Sequence, residues 1–379
     1  MTSRKSLNTL VFNSKALIPS LTESEKPHPT EYPVALNWRL DQNIIGILGN
    51  SGSGKTTLLK RIAGLKPQIE SVLSINAKNI NLRKASTNPC VYVGADTPLF
   101  EHLNLRENLL LTASRSQWTD AAKRTALGLL YDIEAPPLLT LEQVAELCEI
   151  EHLLDHHAAT LSGGEKQRGQ LARALLSGKP ILLLDEAFSA MDWALRTRLH
   201  QRFIGLTREQ TRGIVVVSHS LRELALMTDH LVHIQSGLVV SEGPTLQQVE
   251  SVQHSQGIVF SALRVRHVRD DIDYDLNVFE LQGSKQSGKI YAKKAGYSNL
   301  TDRLLVDANT VVLSKQKEPF SSMLNQLEAR IDSIIESSNV AVVCLDIDGQ
   351  CLYSHISKKS RFDMKLFAGE TIYALFKAV

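Results

Sequence analysis

The octapeptide Gly49-Asn50-Ser51-Gly52-Ser53-Gly54-Lys55-Thr56 has the composition and spacing of a phosphate cradle, GxxxxGK[ST]. Its glycines let the backbone wrap a β-phosphate closely, Lys55 can reach β/γ oxygens, and the Thr56 hydroxyl suits Mg²⁺. A second group follows the apolar run Ile181 to Leu184, where Asp185 and Glu186 stand side by side. Asp185 is placed to hold the Mg²⁺ shell. Glu186 is the candidate general base for an attacking water, a role that needs a carboxylate beside the metal rather than on it. His219 follows a third apolar run and can contact a γ-phosphate, although a single histidine there more often has a structural role. Ser162, Gly163 and Gly164 offer a hydroxyl and backbone N–H groups at the start of a helical stretch, a second anion cradle. Together these groups point to hydrolysis of a nucleoside triphosphate.

The elements that must position them are legible as pattern. From about Asp41 to Val240, short β-branched apolar runs alternate with helical periodicity, which predicts a parallel sheet covered by helices on both faces. The runs Ile44–Leu48, Ile181–Leu184 and Ile214–Val217 lack polar alternation, as strands buried on both faces do. The phosphate cradle falls between the first of them and a predicted helix, and Asp185 falls at the C-terminal end of the second, where ligands of open α/β sheets gather. Leu171, Ala174 and Leu175 recur at helical spacing after Gly164, with a stop near Gly178-Lys179-Pro180. A Leu/Ala/Glu-rich helical insertion interrupted by Pro136-Pro137 spans about 96–165. The proline-containing segment Leu21 to Pro33 is expected to be an irregular excursion between early strands. Beyond about Gln253 the texture turns to short alternating runs, and Asp348-Gly349 suits a hairpin turn between Cys344 and Cys351.

Composition narrows the class. The 379 residues predict two or three domains, and 43% hydrophobic with 22% charged residues is ordinary globular usage. The longest apolar runs fall far short of the ~20 residues that cross a bilayer, so a membrane role must pass through a partner. A net charge of +2 provides no basic field for nucleic acid. The N-terminal MTSRKSLNTLVF lacks the apolar core and cleavage site of a secretory signal, and the chain reads as cytoplasmic. Cys90, Cys148, Cys344 and Cys351 show no metal-ligand spacing and read as reduced thiols.

Leu161-Ser162-Gly163-Gly164-Glu165-Lys166-Gln167-Arg168 discriminates among phosphate-cradle proteins: it resembles the signature motif of the ABC ATPase family. Ser189-Ala190-Met191-Asp192 resembles that family's D-loop, with Met where Leu is usual. The resemblance implies an α/β ABC ATPase core over 1–245, a mixed or parallel sheet with a helical subdomain. It also implies ATP with Mg²⁺ as cofactor: Gly49 to Thr57 bind ATP, Thr56 and Asp185 hold Mg²⁺, and Glu186 and His219 are catalytic. Ser162, Gly163, Gly164 and Gln167 would then close over ATP held by the other subunit of a homodimer, with Asp192 as the D-loop carboxylate. The stretch Leu99 to Asn108 resembles the part that docks an integral-membrane permease. Phe12 and Tyr32 are candidates for stacking adenine. One departure stands out: Ala95 occupies the position of the Q-loop glutamine, so Asp96 or a water must substitute or the coupling to the membrane subunit is weakened.

The segment Asp307 to Val379 is similar to the regulatory domain of molybdate-import ATPases, a small OB-like β-barrel that binds tetrahedral oxyanions. This implies a β-rich domain over 253–379 with molybdate as a regulatory ligand, for which Ser322, Asn325, Ser357, Lys359 and Lys377 offer donors. The same residues equally suit turn caps on a barrel that merely dimerises the protein. The expected function is ATP-driven import of molybdate, and of tungstate, through a permease fed by a solute-binding protein, with this chain peripheral on the cytoplasmic face of the inner membrane. Sulfate or another solute is the alternative cargo. A weakly hydrolysing ATP- and oxyanion-sensing module is the rival class.

Overall fold

The structure is a computed structural model that describes residues 9–17, 31–39, 44–66, 71–75, 78–80, 87–116, 119–131, 135–210, 212–257, 260–283, 288–294, 297, 301–336 and 340–379. The chain divides into two compact units, Met1–Asp192 with Arg202–Gln248, and Trp193–Gln201 with Val249–Val379.

The first unit is built on a six-stranded sheet. In chain order its elements are β1 (Thr9–Leu17), β2 (Glu31–Arg39), β3 (Ile44–Leu48), α1 (Lys55–Ile62), β4 (Ser71–Ile75), β5 (Lys78–Ile80), β6 (Cys90–Val93), α2 (Leu105–Arg115), α3 (Ala121–Tyr131), α4 (Leu141–Cys148), α5 (Gly163–Leu176) and β7 (Ile181–Asp185). They continue as α6 (Trp193–Gln210), β8 (Gly213–Val217), α7 (Leu221–Met227), β9 (His230–Gln235), β10 (Leu238–Pro244) and α8 (Thr245–Gln256), of which Trp193–Gln201 in α6 and the part of α8 from Val249 on fall in the second unit. The sheet runs β10-β9-β3-β8-β7-β6, parallel except for the antiparallel edge β10. All residues of β3, β7 and β8 are buried, which is why they carry uninterrupted Ile, Leu and Val instead of an alternating pattern. Ile45, Ile47, Leu183, Val215 and Val217 pack with Leu58, Leu59 and Ile62 of α1 into one apolar core that fixes the cradle helix against the sheet. A second sheet, β2-β1-β4-β5, is antiparallel. Glu31, Tyr32 and Pro33 belong to β2 rather than to an irregular excursion; the rest of that predicted segment, 21–30, lies outside the described residues.

The helical insertion contains α2, α3 and α4, with Pro136-Pro137 in the connection between α3 and α4. Asn104 caps α2 and Thr140 caps α4, each in a reciprocal capping box with Glu107 and Gln143. The helix α5 packs on α2 and α4. No helix among the described residues is long and apolar enough to cross a membrane.

The second unit continues with β11 (Phe260–Asp271), β12 (Leu276–Leu281), β13 (Lys289–Lys293), β14 (Arg303–Asp307), β15 (Val312–Ser314), β16 (Asn325–Glu336), β17 (Val340–Ile347), β18 (Gln350–Ser357), α9 (Lys358–Met364) and β19 (Thr371–Phe376). Two antiparallel sheets, β13-β12-β11-β14 and β15-β19-β16-β17-β18, make the OB-like β fold. Register shifts at His267/Arg269 and Ile331/Ser333 bend the two longest strands, as an extra residue in one strand of a ladder does. The β17–β18 hairpin turns at Asp348-Gly349, whose φ values of 50° and 85° are those of a type I′ turn. All four cysteines are free, and burial pushes the Cys90 and Cys148 thiols up to about 12.

Candidate functional site

The parallel strands end together, and their C-terminal ends carry the predicted chemistry. The loop after β3 leads through Gly54, at φ 96° and open only to residues that tolerate a left-handed backbone, into α1. Lys55, the first residue of that helix, is buried, and its ammonium donates to the carbonyls of Gly49 at 2.7 Å and Asn50 at 2.8 Å. The loop therefore holds its own cation at the mouth of the helix N-terminus. Burial lowers the Lys55 pKa, while the charges of Glu186 and Asp185 work in the opposite direction. Thr56 is exposed in the first turn, and the Thr57 hydroxyl is 3.5 Å from the Lys66 ammonium.

Asp185 is buried at the end of β7, in register with Val217 of β8. Its Oδ2 accepts a 2.9 Å hydrogen bond from the Tyr92 hydroxyl on β6. Glu186 follows with φ 51°, a left-handed conformation uncommon outside glycine and asparagine. Its N–H donates to the Val217 carbonyl at 3.0 Å, which anchors that conformation. The carboxylate points to solvent, with Oε1 3.4 Å from His219 Nδ1. The His219 turn is rigid because Ser218 N–H donates to the Ile47 carbonyl and Ser218 Oγ accepts from Ser220 N–H and donates to Glu223. The Glu186 carboxylate and His219 thus meet from the ends of two neighbouring strands.

A hard, octahedral ion such as Mg²⁺ is ordinarily held by one or two protein oxygens, with substrate phosphates and water completing the shell. Asp185 and the Thr56 hydroxyl supply that kind of oxygen set beside the Lys55 cation, so the residues fit Mg²⁺. Among the described residues there is no cluster of three or more His, Cys, Asp or Glu that would suit a transition metal.

Ser162 is exposed and caps α5: its Oγ accepts from Glu165 N–H at 3.4 Å, and Glu165 accepts from Ser162 N–H at 2.8 Å. Gly163 is exposed and Gly164 half-buried at the same helix end. Gln167 faces inward within its own chain. Its Nε2 donates to the Glu186 carbonyl at 3.3 Å and to Ser189 Oγ at 3.0 Å, and its Oε1 accepts from Ala190 N–H at 2.9 Å. Its amide is therefore engaged with the loop after β7. Asp192 is exposed immediately before α6. Phe12 and Tyr32 lie on β1 and β2, where only the backbone is described, so their side chains lie outside the described ones.

Sequence reasoning missed Tyr92 and Asp96 as a connected pair. The phenol oxygen is 3.1 Å from Asp96 Oδ1, and Asp96 Oδ2 is 2.8 Å from the Lys60 ammonium. Burial raises the Tyr92 pKa, and the charges of Asp185 and Asp96 raise it further, so the phenol keeps its proton. Partial burial pushes Asp96 up, but Lys60 and the Tyr92 hydroxyl outweigh it and hold the carboxyl below its ordinary range. Ala95 is exposed beside them. The available signal was the Tyr92-Val93-Gly94 triplet, since a glycine two residues after an aromatic one leaves room for the ring.

The five donors expected around an oxyanion do not converge within the chain. Asn325 starts β16 and pairs with Phe376, next to Lys377, while Ser322 precedes the same strand end. Ser357 and Lys359 lie at the other end of β16, where Val340 pairs with Ser357 and Glu336 is bridged by Lys358 and Arg361. Asn325 is fully buried and committed. Its Oδ1 accepts from Tyr291 N–H at 2.7 Å, and its Nδ2 donates to the carbonyls of Tyr291 and Lys377 at 3.1 and 2.9 Å. Ser357 caps α9 by accepting from Ser360 N–H, and Lys359 pairs with Asp363 at 3.1 Å. The strand register, which separates the two groups by the whole length of β16, overrides the grouping suggested by donor chemistry.

A phosphate cradle on a strand–helix junction, a buried carboxylate that suits Mg²⁺, an adjacent carboxylate and a second glycine-rich helix start are the features of a nucleotide-hydrolysing cassette. The ABC transporter family matches residues 35–189, and the TOBE domain matches residues 321–379. The chain is 32% identical over 352 residues to the molybdenum import ATP-binding protein ModC of Pseudomonas fluorescens, covering 89% of this chain and 92% of that one. The protein of the same name from Pseudomonas aeruginosa is 32% identical over 353 residues, again 89% and 92%. That from Bordetella parapertussis is 31% identical over 364 residues, 92% of this chain and 93% of that one. A solved dimeric bacterial ABC transporter cassette is 21% identical, covers 62% of this chain and 98% of its own, and has a TM-score of 0.48. The chain belongs to the family of ABC-type molybdenum import ATP-binding proteins.

Proposed function

We propose that this chain is the ATP-hydrolysing subunit that energises import of molybdate through a membrane permease. The observation that carries the reading is the identity to molybdenum import ATP-binding proteins across both units, over 89% of the chain. Lys55 and the N–H groups at the start of α1 bind the phosphates, and Asp185 with Thr56 holds Mg²⁺. When bound, Mg²⁺ neutralises charge on the β- and γ-phosphates. Glu186 takes a proton from the attacking water. His219, 3.4 Å from that carboxylate, orients it and reaches towards the γ-phosphate side of the site. The exposed Ser162 and Gly163 present a helix N-terminus, outside their own cradle loop, for the nucleotide of a second copy, so the working unit is a homodimer. The dimer sits peripherally on the cytoplasmic face of the inner membrane, docked on the permease through the region around Phe100, which is exposed. A solute-binding protein delivers the oxyanion on the far side.

Molybdate also serves as a regulatory ligand of the β unit. Because the donors lie at opposite ends of β16, a single copy supplies an oxyanion site there with one group of them, Ser357 and Lys359 or Ser322 and Lys377, and the three hydrogen bonds of Asn325 argue for a structural role of its amide. The test is calorimetric titration of the full chain with molybdate, tungstate and sulfate, alongside its ATPase rate with and without each anion. Selective molybdate binding supports molybdate as ligand. Turnover of ATP with selective sulfate binding overturns it in favour of a different cargo.

A further inference from the structure

The loop after β6 lacks a polar side chain at position 95, yet the carboxylate at the end of β7 is not left to itself. Tyr92 reaches it from the neighbouring strand, 2.9 Å from Asp185 Oδ2, and the same phenol oxygen lies 3.1 Å from Asp96 Oδ1. The contact depends on Gly94: a Cβ built there would lie 2.3 Å from the phenol oxygen, so a side chain at 94 would displace the hydroxyl. The loop itself is fixed. Thr97 closes a turn back on Gly94, with its N–H 3.0 Å from the Gly94 carbonyl and its hydroxyl accepting from Gly94 N–H at 3.1 Å. Arg173 of α5 donates to the carbonyls of Thr97 and Pro98. Lys60 of α1 holds the other oxygen of Asp96 at 2.8 Å.

We propose that Tyr92 is a positioning residue that takes over the task of the absent loop glutamine, orienting the Asp185 carboxylate and tying it to Asp96 and the 94–98 loop. This rests on the reading of Asp185 as a Mg²⁺ ligand. A phenol has one proton and can donate it to one carboxylate at a time. Both carboxylates lie within hydrogen-bonding distance of the phenol oxygen, Asp96 with Lys60 on its other oxygen and Asp185 with Lys55 nearby, so the O–H rotor divides between two competing acceptors. With a cation held at Asp185, that oxygen would be the weaker acceptor and the Tyr92 O–H would turn towards Asp96. Through this one proton, the state of the metal carboxylate is registered in a loop that α1 and α5 both grip. Groups behind metal ligands commonly fix ligand orientation, and their loss weakens metal affinity.

The experiment is ATP binding by the full chain measured by calorimetry over a Mg²⁺ series and in EDTA. Tyr92→Phe keeps the buried ring and removes one oxygen. The expected result is a rise of roughly 10- to 100-fold in the Mg²⁺ concentration for half-maximal effect, with ATP affinity in EDTA unchanged. Gly94→Ala retains the phenol but displaces it, and should shift the Mg²⁺ requirement in the same direction. Ala95→Gln placed in the Tyr92→Phe chain should recover part of the loss, which a merely structural role for the hydroxyl would not allow. An unchanged Mg²⁺ requirement in Tyr92→Phe overturns the proposal. ATP binding by the unsubstituted chain that is indifferent to Mg²⁺ overturns instead the assignment of Asp185.

Discussion

Replacing Asn325 by alanine separates a structural amide from an anion contact. The side chain makes three hydrogen bonds of 2.7, 3.1 and 2.9 Å that join the start of β16 to β13 and to the chain after β19. Each contributes roughly 1 kcal/mol net, so their loss predicts a destabilisation of about 3 kcal/mol. Water can reach the half-buried Tyr291 and the exposed Lys377 once the amide is gone, which keeps the figure near the net value of the bonds instead of the larger cost of orphaned buried groups. For a unit of this size, such a loss lowers the melting temperature by roughly 10 °C. Scanning calorimetry of Asn325→Ala against Ser322→Ala and Lys359→Ala provides the comparison. The two exposed positions should stay within ~0.5 kcal/mol of the parent. If Asn325→Ala melted with the parent while losing molybdate binding, the amide would be a ligand contact and the reasoning from its hydrogen bonds would be refuted.

Glu186→Gln should slow phosphate release by roughly 10²- to 10⁴-fold while ATP binding by calorimetry stays intact. Its melting temperature should not move, because the side chain is 45% exposed and the backbone bonds to Val217 and Ser189 do not involve the carboxylate. The Lys179 ammonium, which donates to the Cys90 carbonyl at 3.0 Å, is lowered by burial from 10.5 to about 8. Above pH 8 the folded Lys179 thus holds less of its proton than the unfolded one, and its contribution to stability should rise with pH by roughly 1 kcal/mol between pH 8 and 9. The raised thiols of Cys90 and Cys148 act in the opposite sense over the same window, because the unfolded thiols ionise from about pH 8, so the Lys179 contribution is read as the difference between denaturant melts of the parent and of Lys179→Met, in which the thiol contributions cancel.

The parts of this molecule that were legible in the sequence are those in which local pattern and chemistry coincide. The cradle from Gly49 to Thr56 lies between β3 and α1, Asp185 ends a buried strand, and Ser162 caps α5 with Glu165 as its reciprocal partner. The Asp348-Gly349 hairpin turns where its dipeptide requires. What was hidden depends on register between distant segments. Tyr92 and Asp185 are 93 residues apart, and they meet only because β6 pairs with β7. Donor types at Ser322, Asn325, Ser357, Lys359 and Lys377 looked alike as a set, but nothing local encodes which end of a twelve-residue strand each one occupies. Gln167 shows the same limit: its place in the motif was clear, and the direction of its amide was decided by the loop after β7.

That amide has a mechanical consequence. Gln167 is riveted at three points to residues 186, 189 and 190, so the helix that begins at Ser162 and the segment that carries Glu186 form a single lever with little play. In a dimer whose sites each combine one copy's Ser162 with the other's Lys55, a tilt of α5 as one site closes would also swing that copy's own Glu186 in the opposite site. The two sites would then be geared to one another through the Gln167 side chain.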